Sequence, residues 1–331
     1  MRAMAKADPV TDRSVPVPAA EPRVGASVDL GSNSVHLLVA GVAGHVLSPL
    51  DDESVFLGLG ATVASRGYLG RAGRAELVTA LQRYAAIARG LDADEITFLG
   101  TEPIRRAADA AAAVHEVTAA TGIALHVLSH EEEAYLTMVG VMEGRTVTRE
   151  TLVIDIGGGS SEFCVVDPGG TPRAIGLRLG SARLTDHFVT HDPPQASEIE
   201  AMYVAAVDAM TDAPPASPAE IVAVGGTASN LRKVVLSAPE EVLSQVHIAE
   251  ALMLLGSMPV AAATEQYAIN PIRARILPAG AAILAAILDH YEVAEVRVSE
   301  AGIREGAILA VAHAGPAWRD RLVELTRGWR V

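Results

Sequence analysis

The stretch from Thr151 to Val166 reads TLVIDIGGGSSEFCVV, and it restricts the fold more than any other part of the chain. An apolar strand runs into Asp155, and the chain turns through Gly157, Gly158 and Gly159. Ser160 follows, and a second apolar strand leaves with Glu162 near its start. Three successive glycines remove every Cβ from the turn, so backbone N–H groups can converge on an oxyanion. Asp155 offers a carboxylate to a hydrated cation, and Ser160 offers a short hydroxyl. A tight hairpin favours glycine even without a ligand. The carboxylate before the glycines and the Ser-x-Glu after them favour phosphate held with magnesium. The pattern recurs once: Val28 to Val39 reads VDLGSNSVHLLV. Aligning Asp29 with Asp155 pairs Gly31 with Gly157 and Ser34 with Ser160. Two such loops, each between strands, imply a duplicated α/β domain with phosphate clamped between the halves.

A chain of 331 residues can bury a large core and favours two domains. Half of it is hydrophobic but only 4% is aromatic, so the core must be aliphatic. The net charge of −14 argues against a nucleic-acid track. An anionic ligand must then be captured locally, by amides and a few arginines. Cys164 is the single cysteine, which excludes an internal disulfide and fits a cytoplasmic protein. The apolar run Ile276 to Leu288 falls short of the roughly 20 residues of a membrane span and reads as a buried helix. No apolar signal core opens the chain, and residues 1–23 read as a flexible tail.

In between, strand Ile96 to Leu99 delivers Thr101, Glu102 and Arg105 to the end of a sheet. Arg105 there can fork onto a phosphate or join a surface ion pair. Asp51 to Glu53 reads as a solvated turn, and His36 as a packed histidine. Ser129 with Glu132, and Ser197 with Glu200, have capping-box spacing. Gly140 to Glu150 reads as a hinge between the halves. Gly180 to Thr185 opens a helix, a natural anion site to which Arg183 adds charge. Gly226 and Thr227, before another helix, either allow close strand–helix packing or line the far end of a ligand site. Helices are expected over Arg71–Arg89, Glu241–Met258 and Pro271–His290, and a docked basic helix over Trp318–Trp329.

The chain resembles the exopolyphosphatase and guanosine pentaphosphate phosphohydrolase family of the actin-like ATPase superfamily. The resemblance runs from about Val24 to about Ala312. It rests on DLGSNS from Asp29, TEPIR from Thr101, EEEAYLTMVGV from Glu131, DIGGGSSEF from Asp155, LRLGSARLT from Leu177, GGTASNL from Gly225 and SEAGIREGAIL from Ser299.

The resemblance implies an α/β fold of two ribonuclease-H-like domains facing across a cleft, at residues 24–140 and 141–331. It implies that Glu133 is the general base; Glu133 precedes Glu162 by 29 positions, the family separation. Thr101 and Arg105 then face the phosphate, and Arg183, Gly226 and Thr227 are further substrate contacts. Amides of Gly31, Ser32 and Asn33 and of Gly157 to Gly159, with the hydroxyls of Ser34 and Ser160, hold its oxygens. Magnesium is expected on Asp155, with Glu162 or Asp29. The family commonly has a small residue where Glu102 stands, so Glu102 departs from the pattern. Gly302 to Gly306 is expected to support packing.

The implied substrate is inorganic polyphosphate or guanosine pentaphosphate, with no nucleic-acid or membrane partner and a homodimer as the assembly. Long relatives carry a further helical domain absent here, which gives an expectation of short polyphosphate chains. An ATP-dependent kinase-like enzyme and a non-catalytic alarmone sensor are the other classes weighed. The intact Glu133 disfavours the sensor.

Overall fold

Apolar runs that alternate with amphipathic segments fold into two sheets, each beginning with one of the glycine hairpins. The computed structural model describes residues 23–235 and 241–329. The tail expected over residues 1–23 lies outside the described residues, apart from Arg23, which opens the first strand.

The first half contains β1 (Arg23–Leu30), β2 (Ser34–Ala43), β3 (Val46–Phe56), α1 (Leu59–Arg66), α2 (Gly70–Gly90), β4 (Glu95–Gly100), α3 (Glu102–Arg106), α4 (Ala110–Thr121), β5 (Leu125–Val127) and α5 (His130–Met142). Its sheet has the order β3-β2-β1-β4-β5. β1 runs antiparallel to β2 and parallel to β4.

The second half contains β6 (Thr151–Ile156), β7 (Ser161–Val166), β8 (Arg173–Leu177), α6 (Ser181–Phe188), α7 (Ala196–Ala209), β9 (Glu220–Val224), α8 (Gly225–Val234), β10 (Val242–Ser244), α9 (Gln245–Ser257), α10 (Val260–Tyr267), α11 (Pro271–His290), β11 (Glu295–Val298) and α12 (Ile303–Ala314). Its sheet has the order β10-β11-β9-β6-β7-β8. Again the hairpin strands β6 and β7 are antiparallel, and β6 is parallel to β9.

The cores are aliphatic, as the composition requires. Leu77, Leu81, Tyr84 and Ala88 of α2 pack on Val28, Leu30, Val35 and Leu37 beneath the first hairpin. In the second half α11 is the central helix, with Leu277, Ile283, Leu284 and Ile287 buried against Leu152, Ile154 and Phe163. Each fully buried Leu or Ile of this kind contributes about 1.5–3 kcal/mol. At 20 residues, α11 is long and apolar enough to cross a bilayer by length and composition, but most of it is inside this core.

The division of the chain near residue 140 is crossed by two helices. α5 covers β6, β7 and β8, while α12 returns from the chain's end to pack on β1 and β2. They cross each other at Gly140 and Gly306. A Cβ on Gly140 would stand 2.0 Å from the Gly302 carbonyl oxygen, and one on Gly306 would stand 1.8 Å from that of Leu136. The hinge expected over Gly140 to Glu150 is therefore partly a helix crossing, and only the part after Met142 is connection.

Several local expectations differ. Asp51 to Glu53 lie inside β3, an edge strand whose charges resemble those of a turn. The helix expected from Glu241 begins at Gln245, because Val242–Ser244 pairs with β11. The capping box before α7 uses Gln195 and Glu198, two residues before the expected Ser197 and Glu200. Beyond α12, Trp318, Leu322 and Leu325 dock on Leu99, Leu128 and Leu136, but as a 3-10 turn and one helical turn rather than a long helix.

Candidate active site

The two hairpins meet across a cleft of about 1120 Å³. Their local geometry repeats. The Gly31 amide donates to the Ser34 carbonyl at 3.1 Å, and the Gly157 amide to that of Ser160 at 3.0 Å. Thr101 Oγ1 donates to the Leu30 carbonyl at 2.9 Å, and Thr227 Oγ1 to that of Ile156 at 3.1 Å. Each residue of the second copy stands 126 positions after its counterpart. Gly31 and Gly157 therefore spend their amides closing the turns, contrary to the expectation that they hold phosphate. Among the described residues, the amides of Ser32, Asn33, Gly158 and Gly159 have no backbone partner. Thr101 and Thr227 tie each loop to the next strand's end, so their hydroxyl protons are not free for a ligand. The first loop is braced further: Gly60 donates to Ser32 at 2.7 Å and Gly58 to Asn33 at 2.9 Å.

The acids converge on the cleft. Asp29 and Asp155 are the next-to-last residues of β1 and β6, and both line it together with Glu133 and Glu162. Across the hairpins Asp29 pairs in register with His36, and Asp155 with Glu162. Burial pushes the Asp155 carboxyl up to about 7, with Glu162 and Asp29 adding to the rise. Burial also pushes Asp29 up to about 7; Arg304 opposes this and Glu162 adds to it. Asp29 Oδ1 is buried with no hydrogen-bond partner among the described residues.

These oxygens suit a hard cation, which would relieve their mutual repulsion. Among the described residues no three acids or histidines form a ready-made ligand cage. A magnesium ion here would therefore be held through its water shell, with Asp155, Glu162 and Asp29 as the acids nearest at hand.

Glu133 sits in the first turn of α5, which is opened by the expected capping box: the Ser129 amide donates to Glu132 Oε2 at 2.8 Å. Glu132 is thus structural, and Arg319 also holds it. Glu133 is buried, and burial, then Glu162, hold its carboxyl well above the usual range against the pull of Arg105. Arg105 Nη1 bonds Glu133 Oε1 and donates to the Leu128 carbonyl at 2.7 Å. The arginine expected to face phosphate is thus turned onto Glu133, because a buried carboxylate needs a partner. Arg183 likewise differs from expectation. It donates from Nε to the Gly159 carbonyl at 3.0 Å and from Nη2 to Glu102 at 3.3 Å.

Further residues surround the site. His130 Nδ1 lies 2.9 Å from Glu162 Oε1, and Arg105 Nη2 lies 3.0 Å from the same ring nitrogen. Gly176 leaves the slot that this ring fills. Arg273, from α11, reaches His36 Nε2 at 3.3 Å and packs on Gly226. Arg304, in the motif read as packing support, bonds Asp52 at 2.7 Å and lowers the Asp29 carboxyl. Burial, then Arg304 and Arg273, push His36 down to about 4, so it stays neutral. Glu102 is buried between the halves.

Known proteins resemble this chain over most of its length. The chain is similar to exopolyphosphatase 1 of Mycobacterium tuberculosis, 28% identical over 299 residues covering 85% of this chain and 86% of that one. It is similar to the guanosine-5'-triphosphate,3'-diphosphate pyrophosphatase of Aeromonas hydrophila, 25% identical, covering 86% of this chain but only 58% of the longer relative. The structure of the Aquifex aeolicus Ppx/GppA family member superposes with a TM-score of 0.78 at 24% identity, covering 89% of this chain and 99% of that one. That likeness carries the fold: two α/β halves about a cleft. The model of the Ppx/GppA phosphatase family matches residues 38–314, and the chain belongs to that family.

Proposed function

We propose that this phosphatase is an exopolyphosphatase, which removes the terminal phosphate of inorganic polyphosphate. The observation that carries the reading is Glu133: a buried carboxylate, paired with Arg105, on the same cleft as two glycine hairpins and an acid pair. The free amides of Ser32, Asn33, Gly158 and Gly159 receive the terminal phosphate oxygens from both sides. Magnesium, when bound near Asp155 and Glu162, supplies positive charge that neutralises the phosphate. Glu133 Oε accepts a proton from a water aligned with the terminal phosphorus, and Arg105 keeps that carboxylate oriented. His130 holds Glu162 in place. The bridging oxygen leaves with the shortened chain.

Glu133→Ala should lower kcat by roughly 10²–10⁴ while tripolyphosphate still binds. Full turnover in that variant, measured as phosphate release with magnesium, would remove the role. The second reading is a guanosine pentaphosphate 5′-phosphohydrolase. Arg273 favours it, because a guanidinium with no carboxylate partner among the described residues lines the cleft, where the trailing part of a substrate would run. Comparing release from polyphosphate, guanosine pentaphosphate and ATP separates the two, and also exposes a kinase-like enzyme.

A further inference from the structure

The proposed chemistry makes no use of Glu102. This residue opens α3 and is buried, yet it belongs to neither the acid group nor the base. Its carboxylate accepts from Arg106 Nη1 at 2.6 Å, Arg183 Nη2 at 3.3 Å and Ser32 Oγ at 3.4 Å. Ser32 belongs to the first loop. Arg183 follows the second loop and bonds that loop's Gly159 carbonyl. One carboxylate therefore engages both loops.

Its fit is also steric. A Cβ on Gly159 would stand 2.8 Å from Glu102 Cδ, and the three nearest atoms are all Glu102's. Gly159 is not in the left-handed region, so its backbone tolerates alanine, and Glu102 is the nearest obstacle to a side chain there. On the other side of the contact Gly158 lies against Asn33 and Ser32. Two guanidiniums neutralise the buried carboxylate, so it adds little net repulsion toward an anion.

We propose that Glu102 is a positioning residue that clasps the two phosphate loops and sets the width of the pocket between them. The inference rests on reading this cleft as the phosphate site. Without the clasp, Ser32 and Gly159 part and their amides no longer meet the same phosphate. The chemical groups at Glu133 remain in place, so the loss falls on substrate capture.

The test is steady-state phosphate release from polyphosphate with magnesium, for wild type, Glu102→Ala, Glu102→Gln, Gly159→Ala and the Glu102→Ala/Gly159→Ala double variant. Glu102→Ala should raise KM by about tenfold and change kcat less, since misplacement of binding groups has effects of this order. Glu102→Gln keeps an accepting oxygen and should recover most of the loss. Gly159→Ala should act as a wedge in the wild type but add little to Glu102→Ala. An unchanged or lower KM in Glu102→Ala, or additive effects of the two alanines, would overturn the clasp. Should Glu102→Ala not fold, Glu102→Gln and Gly159→Ala carry the same comparison. If wild type releases no phosphate from any polyphosphate, the proposed function fails, and the clasp is read without turnover. In that case the thermal-midpoint shifts of Glu102→Ala and Arg183→Ala should be less than additive in the double variant, and additive shifts would refute it.

Discussion

The two hairpins share a backbone and differ in charge. Asp29 and Asp155 occupy matching strand ends, with matching turn bonds and matching threonine ties. Opposite Asp29 stands His36, with Arg273 and Arg304 around it; opposite Asp155 stands Glu162, held by His130. Opposite its aspartate, the first copy thus carries neutral and cationic groups, and the second carries another acid. On the proposed reading, backbone geometry sets where a phosphate sits, and these side chains set which half carries the cation. A duplicated fold can clamp a symmetrical group such as phosphate and still make the two faces chemically unequal.

The largest effect should come from exchanging the unequal pair. Glu162→Gln is expected to cost roughly 10²–10³ in kcat, in the range of removing one preorganised electrostatic group. His36→Asn should cost far less. Equal losses in a phosphate-release assay would erase the asymmetry. The aspartates are the next rank. Asp155→Asn should raise the magnesium concentration for half-maximal activity by about 10–100-fold, and Asp29→Asn by less, because Asp155 has Glu162 beside it. A larger shift for Asp29 would move the cation to the first hairpin.

The duplication was legible in the sequence because it is local. Strand, aspartate, tight turn and serine fall within a few residues, and the Ser129–Glu132 cap is equally local. The groups that complete the site are not local. Arg273 and His36 are 237 positions apart, and Arg304 and Asp52 are 252 apart. No pattern in one chain segment announces such pairs. Glu102 was visible as a departure from the family, but its partners Ser32 and Arg183 come from opposite halves. Arg105 was legible as a site arginine, but its bond to Glu133, 28 positions away, was not. The charges of β3 misled because edge strands carry them for the same reason turns do, exposure to water.

Stability should also report the asymmetry, more weakly. Asp29 and Asp155 titrate near 7 in the folded chain against an ordinary value of 3.8. Folding takes up protons between these values, so their contribution is full at low pH and is lost as pH rises through 7. His36 runs the other way: lowered from 6.5 to about 4, it contributes above 6.5 and loses this as pH falls toward 4. Glu133 is raised with the two aspartates, and these acids outweigh the lowered histidines His36, His126 and His313, so the thermal midpoint in chelator should fall as pH rises from roughly 4 to 7. Asp155→Asn should flatten that fall and His36→Asn should steepen it. A midpoint that rises over the same range would contradict the assignments of Asp29 and Asp155.

The smallest expected effect tests the part of the comparison that is symmetrical. Thr101→Val and Thr227→Val each remove a buried hydroxyl that satisfies a strand-end carbonyl, at near-equal volume. Each should destabilise by about 1–3 kcal/mol, because the Leu30 or Ile156 carbonyl loses that partner. The two losses should match within about 0.5 kcal/mol and add in the double variant, since they lie in separate halves. Chemical denaturation measures this directly. Unequal losses would mean that the repeat is a likeness of backbone trace only. A double variant far worse than the sum would mean that the halves share one cooperative loop assembly, in which a phosphate closing on one hairpin is felt by the other.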